Sequence, residues 1–163
     1  MKERPSMDDY LKAAKKNNYL TPETFEDFFT FENFIVGSTN QFAHAASFAV
    51  ADNPALIYNP LVIFGPSGVG KTHLLLAIKN HIKKKFPGRK IEYTRGEDFT
   101  NQLIQSLHEG KLGMGTIDDF RNKYRNVDVL IIDDVQALAK GRSSQEEFFN
   151  TFNELYSSNK QII

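Results

Sequence analysis

Gly65, Pro66, Ser67, Gly68, Val69, Gly70, Lys71 and Thr72 follow the pattern G-x-x-x-x-G-K-[ST]. Each residue type has a use at its place. Glycines let the backbone curl until successive N–H groups face one anion. A helix beginning near Lys71 adds the positive end of its dipole. Lys71 then reaches the β- and γ-phosphates of a nucleotide, and the Thr72 hydroxyl ligates magnesium. An apolar run at 61–64 precedes the string and an amphipathic stretch comes after it, as the pattern requires. A glycine-rich turn that binds nothing would not need that context. The expected ligand is ATP or ADP with Mg2+, cradled by Gly65, Gly68, Val69, Gly70, Lys71 and Thr72.

Val129, Leu130, Ile131 and Ile132 run into Asp133 and Asp134. In a parallel sheet, an apolar strand delivers carboxylates at its C-terminal end, beside the phosphate loop. Asp133 is expected to hold the magnesium shell, directly or through water. Asp134 is placed to polarise an attacking water, or else it only caps a turn.

These groups need elements to position them. Phe42, Ala45, Ala46 and Ala49 recur at helical spacing within 40–51. The run at 61–64, between Pro60 and Gly65, predicts a buried strand. Leu75, Ile78, Ile82 and Phe86 predict a helix after Thr72 that Pro87 and Gly88 end. A second strand is expected at 90–94, then a helix marked by Phe99, Leu103 and Leu107 and broken by Gly110, Gly113 and Gly115. A short polar helix is expected at 117–124, a buried strand at 127–132, and a helix at 144–156 with Phe148, Phe149 and Phe152 toward the core. Residues 161–163 open another strand. Strand alternating with helix predicts an α/β fold, a three-layer α/β/α sandwich on a parallel sheet.

The remaining composition narrows the class. The chain has 163 residues, 20 basic against 20 acidic and no cysteine. It is long enough for one packed domain, and its charge balance excludes an arm that holds DNA by total charge alone. Without thiols there is no disulfide framework, thiolate zinc site or cysteine nucleophile. No apolar run approaches a membrane span, so the expected compartment is the cytoplasm. Residues 1–30 read as a short helix plus linker that packs poorly on the rest of the chain.

In order along the chain, the strings Phe31 to Gly37 (FENFIVG), Asn40, Ala43 to Ala46 (AHAA), Tyr58 to Leu61 (YNPL), Gly70 to Leu75 (GKTHLL), Lys123 to Asp128 (KYRNVD), Ile132 to Gln136 (IDDVQ) and Gln145 to Phe149 (QEEFF) resemble the nucleotide-binding domain of the DnaA family of bacterial replication initiators, within the AAA+ ATPases. The resemblance covers residues 31–163. It implies an AAA+ P-loop domain whose fourth strand lies between the first and third, here partial at its C-terminal side. The polar sensor, arginine finger, helical lid and helix-turn-helix domain are not among these residues. It also implies that Ile35, Val36 and Asn40 line the adenine pocket, and that residues 97–125 touch single-stranded DNA and neighbouring subunits, with Ile104 against the strand. The family's basic run after Asp134 is displaced here to Lys140 and Arg142.

The resemblance further implies ATP-dependent homo-oligomerisation on the replication origin and DNA unwinding, with slow hydrolysis as the off-switch. It brings the replicative helicase and acidic phospholipid into view as partners of a complete protein. The 163 residues alone are expected to bind ATP but hydrolyse it negligibly. Two rivals stand beside this: a regulatory or helicase-loader-like relative without a duplex-DNA domain, and a small-molecule P-loop kinase. Other residues carry plainer expectations. Lys79, Lys83, Lys84, Lys85, Arg89 and Lys90 solvate a surface and complement a helix dipole. His73 packs. Tyr124, between Lys123 and Arg125, either stacks on a nucleic-acid strand or ends a solvated helix.

Overall fold

A computed structural model of the chain describes residues 26–112 and 116–163. Residues 1–25 of the helix plus linker expected over 1–30, and Gly113 and Gly115, lie outside the described residues. The described elements are α1 (Gln41–Asp52), α2 (Lys71–Lys85), β1 (Ile91–Arg95), α3 (Gly96–Leu112), α4 (Ile117–Arg125), β2 (Val129–Asp133), a 3-10 turn (Val135–Lys140), α5 (Arg142–Ser157) and β3 (Gln161–Ile162).

The three strands are parallel in the order β1-β2-β3. β1 pairs with β2 from Ile91 opposite Val129 to Arg95 opposite Asp133, and β2 pairs with β3 at Val129–Gln161 and Leu130–Ile162. Because side chains alternate along a strand, β2 feeds two cores. Val129 and Ile131 join Val50, Leu75, Ile78 and Ile82 of α1 and α2. Leu130 and Ile132 join Phe99, Leu103, Phe120, Tyr124 and Leu155 of α3, α4 and α5. Both faces of β2 are covered, which is why its sequence is a continuous apolar run. This is the expected three-layer α/β/α arrangement. Among the described residues, no helix is long and apolar enough to cross a membrane.

Residues 61–64 depart from expectation. They do not form a regular strand: Leu61 is buried and its N–H bonds the Ile162 carbonyl at 3.0 Å, but Val62 is exposed and Phe64 is 89% exposed. Among the described residues that is the one ladder bond this segment makes. That single bond nevertheless puts this segment next to the fourth strand, in the order the family resemblance implied. Asn59 and Gln161 secure the junction. The Asn59 side chain accepts from Ile162 N at 3.0 Å and donates to the Lys160 carbonyl at 2.7 Å. Buried Gln161 accepts from Ala55 N at 2.6 Å and donates to the Tyr58 carbonyl at 2.9 Å.

Further corrections concern faces and ends. The buried side of α1 is Ala46, Ser47, Val50 and Ala51, with Phe42 and Ala45 exposed. α3 runs through Gly110 to Leu112, since one glycine costs a helix only about 1 kcal/mol. Leu107 on α3 is largely exposed. Phe148 and Phe152 do pack inward, but Phe149 is 63% exposed and the buried face of α5 is Ser144, Glu147, Thr151 and Leu155.

The polar members of that face are there for a network. Glu147 takes Arg121 at 3.1 Å and Arg125 at 2.6 Å, tying α4 to α5. Burial pushes its carboxyl pKa up, but the two guanidiniums outweigh that and hold it below the usual range. Tyr124 is wholly buried, which removes both readings offered for it. α4 starts as its sequence dictates: the Thr116 hydroxyl accepts from Asp119 N, and Asp119 answers to Thr116 N at 3.1 Å.

Residues 26–30 pack well, against expectation. Asn80 on α2 donates to the Glu26 and Phe29 carbonyls at 2.8 and 3.0 Å, and Lys79 meets Glu26 at 2.5 Å.

Candidate functional site

The site is built where α2 begins and β2 ends. Gly70 sits just before α2 at φ +96°, and Gly68 has φ +80°, so both occupy backbone that L side chains rarely adopt. Gly70 has a second constraint. A Cβ on it would lie 2.7 Å from the Phe34 ring. Phe34 is held in turn by His44, stacked at 5.7 Å, and by His73, edge-on at 5.1 Å. His73 also bonds the Thr30 carbonyl at 2.8 Å, so it packs, as expected. The segment before α1 and the phosphate loop are thus braced against one another through aromatic rings.

Lys71 curls over the loop, donating to the Gly65 carbonyl at 2.9 Å and the Pro66 carbonyl at 2.7 Å. Thr72, one residue along α2, donates through Oγ1 to Asp133 Oδ2 at 2.7 Å. Asp133 is buried, and Tyr93 Oη donates to the same oxygen at 3.2 Å while Asp134 N donates to Oδ1 at 2.9 Å. Burial, and then the negative charge of Asp133, push the Tyr93 phenol above its ordinary pKa and keep it a donor.

Asp134 stands differently. Its backbone is left-handed, at φ 52° and ψ 47°, a conformation Asp tolerates better than most residues. Its side chain is exposed, and Gln136 Nε2 donates to Oδ1 at 3.0 Å. Gly96, at the start of α3, lets the turn pack closely: a Cβ there would be 2.7 Å from the Asp134 carbonyl oxygen. A pocket of about 250 Å³ runs from Lys71, Asp133 and Asp134 down to Leu61, Phe148 and Ile162.

The base-side candidates are set apart from this. Ile35 is 87% exposed and Val36 is exposed. Asn40 is engaged with its own turn, accepting from Gly37 N at 2.8 Å and donating to the Ile35 carbonyl at 3.1 Å. It shapes the segment that presents Ile35 and Val36.

A family model for the bacterial DnaA ATPase domain matches residues 25–163. The chain belongs to that family. It is 50% identical over 156 residues to the chromosomal replication initiator protein DnaA of Deinococcus radiodurans, spanning 93% of this chain and 32% of that protein. The DnaA of Thermoanaerobacter sp. (strain X514) is 52% identical over 143 residues, spanning 88% of this chain and 31% of that protein. The chain therefore spans about a third of the length of the curated relatives it matches.

Among solved structures it is similar to domain III of the Thermotoga maritima replication initiation protein DnaA, with a TM-score of 0.77 and 48% identity over 83% of this chain and 54% of that one. AMPPCP-bound DnaA from Aquifex aeolicus matches with a TM-score of 0.77 and 42% identity, over 84% of this chain and 41% of that one. A replication initiator DnaA bound to AMPPCP and single-stranded DNA matches with a TM-score of 0.76 and 41% identity, over 89% of this chain and 42% of that one.

Two contributors to this DnaA-type site escaped the sequence motifs. Tyr93 sits mid-strand with nothing but alternation to say which face it takes. Gly96 is a lone glycine at a strand–helix junction. Only the position of the neighbouring β2 turn makes either meaningful.

Proposed function

We propose that this chain binds ATP and ADP with Mg2+ on its phosphate loop, as the nucleotide-responsive part of an initiator that assembles on origin DNA and opens it. The observation that carries the reading is the Thr72–Asp133 hydrogen bond of 2.7 Å, which brings two hard oxygen donors from α2 and β2 together beside the loop. Such a pair suits Mg2+, which is commonly held by one or two protein oxygens with the substrate's phosphates completing the shell. Among the described residues there is no cluster of three or more His, Cys, Asp or Glu that would hold a metal unaided. The residues present therefore fit a magnesium that arrives with its nucleotide. When bound, the ion neutralises charge on the β- and γ-phosphate oxygens.

The chain's own groups divide the remaining work. Backbone N–H groups of the loop and of the start of α2 face the phosphates. Lys71 exchanges its two loop carbonyls for phosphate oxygens. Asp134, exposed next to Asp133, would accept a proton from, or orient, an attacking water. Hydrolysis then serves as the slow step that ends the ATP-bound state.

AMPPCP on the Aquifex aeolicus relative, and AMPPCP with single-stranded DNA on another DnaA, support this assignment. For the strand contact we propose the α3–α4 pair, where Ile104 is 53% exposed on the outer face of α3. Titration of a fluorescent ATP analogue tests the nucleotide claim. The parent chain should bind, and Lys71→Ala should weaken binding by about 100-fold or more, since each charged hydrogen bond lost costs about 1.5–3 kcal/mol. Equal affinity in the two would overturn it.

A further inference from the structure

We propose that Tyr93 is a positioning residue for the Asp133 carboxylate and, through it, sets the magnesium requirement of triphosphate binding; this rests on the function proposed above. Tyr93 is opposite Ile131 in the β1–β2 register, and Asp133 lies two residues further along β2. In parallel strands, register partners share a face, so Tyr93, Ile131 and Asp133 all point to the α2 side. The phenol spans that diagonal and donates to Oδ2 at 3.2 Å.

Its donation is not redundant. Thr72 Oγ1 reaches the same oxygen, but that hydroxyl is itself a candidate magnesium ligand and must reorient to serve as one. Asp134 N holds only Oδ1, and one hydrogen bond on one oxygen leaves the carboxylate free to rotate about Cβ–Cγ. Among the described residues Tyr93 is the remaining donor on Oδ2, and a cation lies over its ring face. Lys79 Nζ lies 5.4 Å from the ring centroid and is tied to Glu26 at 2.5 Å. Groups that orient a metal-binding carboxylate typically change metal affinity about 10–100-fold when removed.

The test titrates MgCl2 against binding of a fluorescent ATP analogue to the full 163-residue chain, with an EDTA baseline and a melting curve for every variant. Tyr93→Phe removes only the hydroxyl. It should raise the half-saturating Mg2+ concentration about 10–100-fold while leaving binding in EDTA and the melting temperature unchanged. Tyr124→Phe, which removes another buried phenol outside the site, should leave the Mg2+ midpoint where it is. In an Asp133→Asn background, Tyr93→Phe should add nothing, because the group it acts through has gone.

An unchanged midpoint in Tyr93→Phe, a loss equal in Mg2+ and EDTA, or an effect that adds fully to Asp133→Asn would each overturn the proposal. These outcomes leave the nucleotide assignment standing so long as the parent chain binds and responds to Mg2+. A parent that binds no nucleotide would remove both.

Discussion

The proposed phosphate side and the proposed base side of the site are built to different standards. Around the phosphates, the parts are over-determined. Gly70 is fixed by both its backbone angle and the Phe34 ring, and Asp133 is buried with three donors on its two oxygens. On the base side, Ile35 and Val36 stand exposed on a turn that, among the described residues, is bonded through the side chain of Asn40. The difference suits what each half would recognise under the proposed function. A triphosphate carries concentrated charge that rewards donors fixed in advance, whereas a base offers mainly a flat apolar face, which adaptable side chains can cover.

Comparing ATP with inorganic tripolyphosphate as ligands can break this contrast. Gly70→Ala should have the largest effect, because left-handed backbone costs a residue with a Cβ about 1–3 kcal/mol and the Phe34 ring must also move. Both ligands should be affected, with a fall in melting temperature. If Gly70→Ala weakened ATP but spared tripolyphosphate, the phosphate side would not be the rigid half.

Asp133→Asn and Asp134→Asn divide that half further. Asp133→Asn should raise the Mg2+ concentration that ATP binding needs, leaving a weaker but measurable Mg2+ dependence. Asp134→Asn should spare binding and lower hydrolysis only, measured as phosphate release in a complete initiator carrying the same substitution. Two variants that bound and turned over Mg-ATP like the parent would refute both roles.

Gly96→Ala probes the turn beneath them. Its added Cβ, 2.7 Å from the Asp134 carbonyl, must displace either the turn or the start of α3, a strain of about 1–3 kcal/mol visible in a chemical melt. A melt superimposable on the parent's would show that the two segments slide freely.

Asn40→Ala should have the smallest effect. Losing the hydrogen bonds that shape one exposed turn costs about 1 kcal/mol, or roughly a five-fold loss of ATP affinity, with tripolyphosphate unaffected. Loss on both ligands would mean that the base-side turn also supports the phosphate loop.

The rigid half was also the legible half. Its glycines, Lys71, Thr72 and Asp133 are required in fixed order along the chain, and fixed order is what a sequence displays. The β2 apolar run was equally plain, because burial on both faces leaves no polar position to blur it. What was hidden depended on neighbours. Residues 61–64 look like a strand by composition, yet a strand is defined by its ladder, and composition does not show that only Leu61 makes a ladder bond among the described residues. Phe149 has the same composition signal as Phe148, but the buried stripe of α5 is set by the charged network of Glu147 with Arg121 and Arg125. Tyr93 gained its meaning only from a register two strands wide.

The run at 61–64 has one more consequence, and it concerns time. Backbone amides of β2 can reach solvent only when the sheet opens, whereas those of Val62, Ile63 and Phe64 have no ladder bond to break among the described residues. In deuterated water, the segment 62–64 leading into the phosphate loop should therefore exchange in the earliest fraction, and β2 should exchange last. The nucleotide loop hangs between the fastest and the slowest clocks in the sheet.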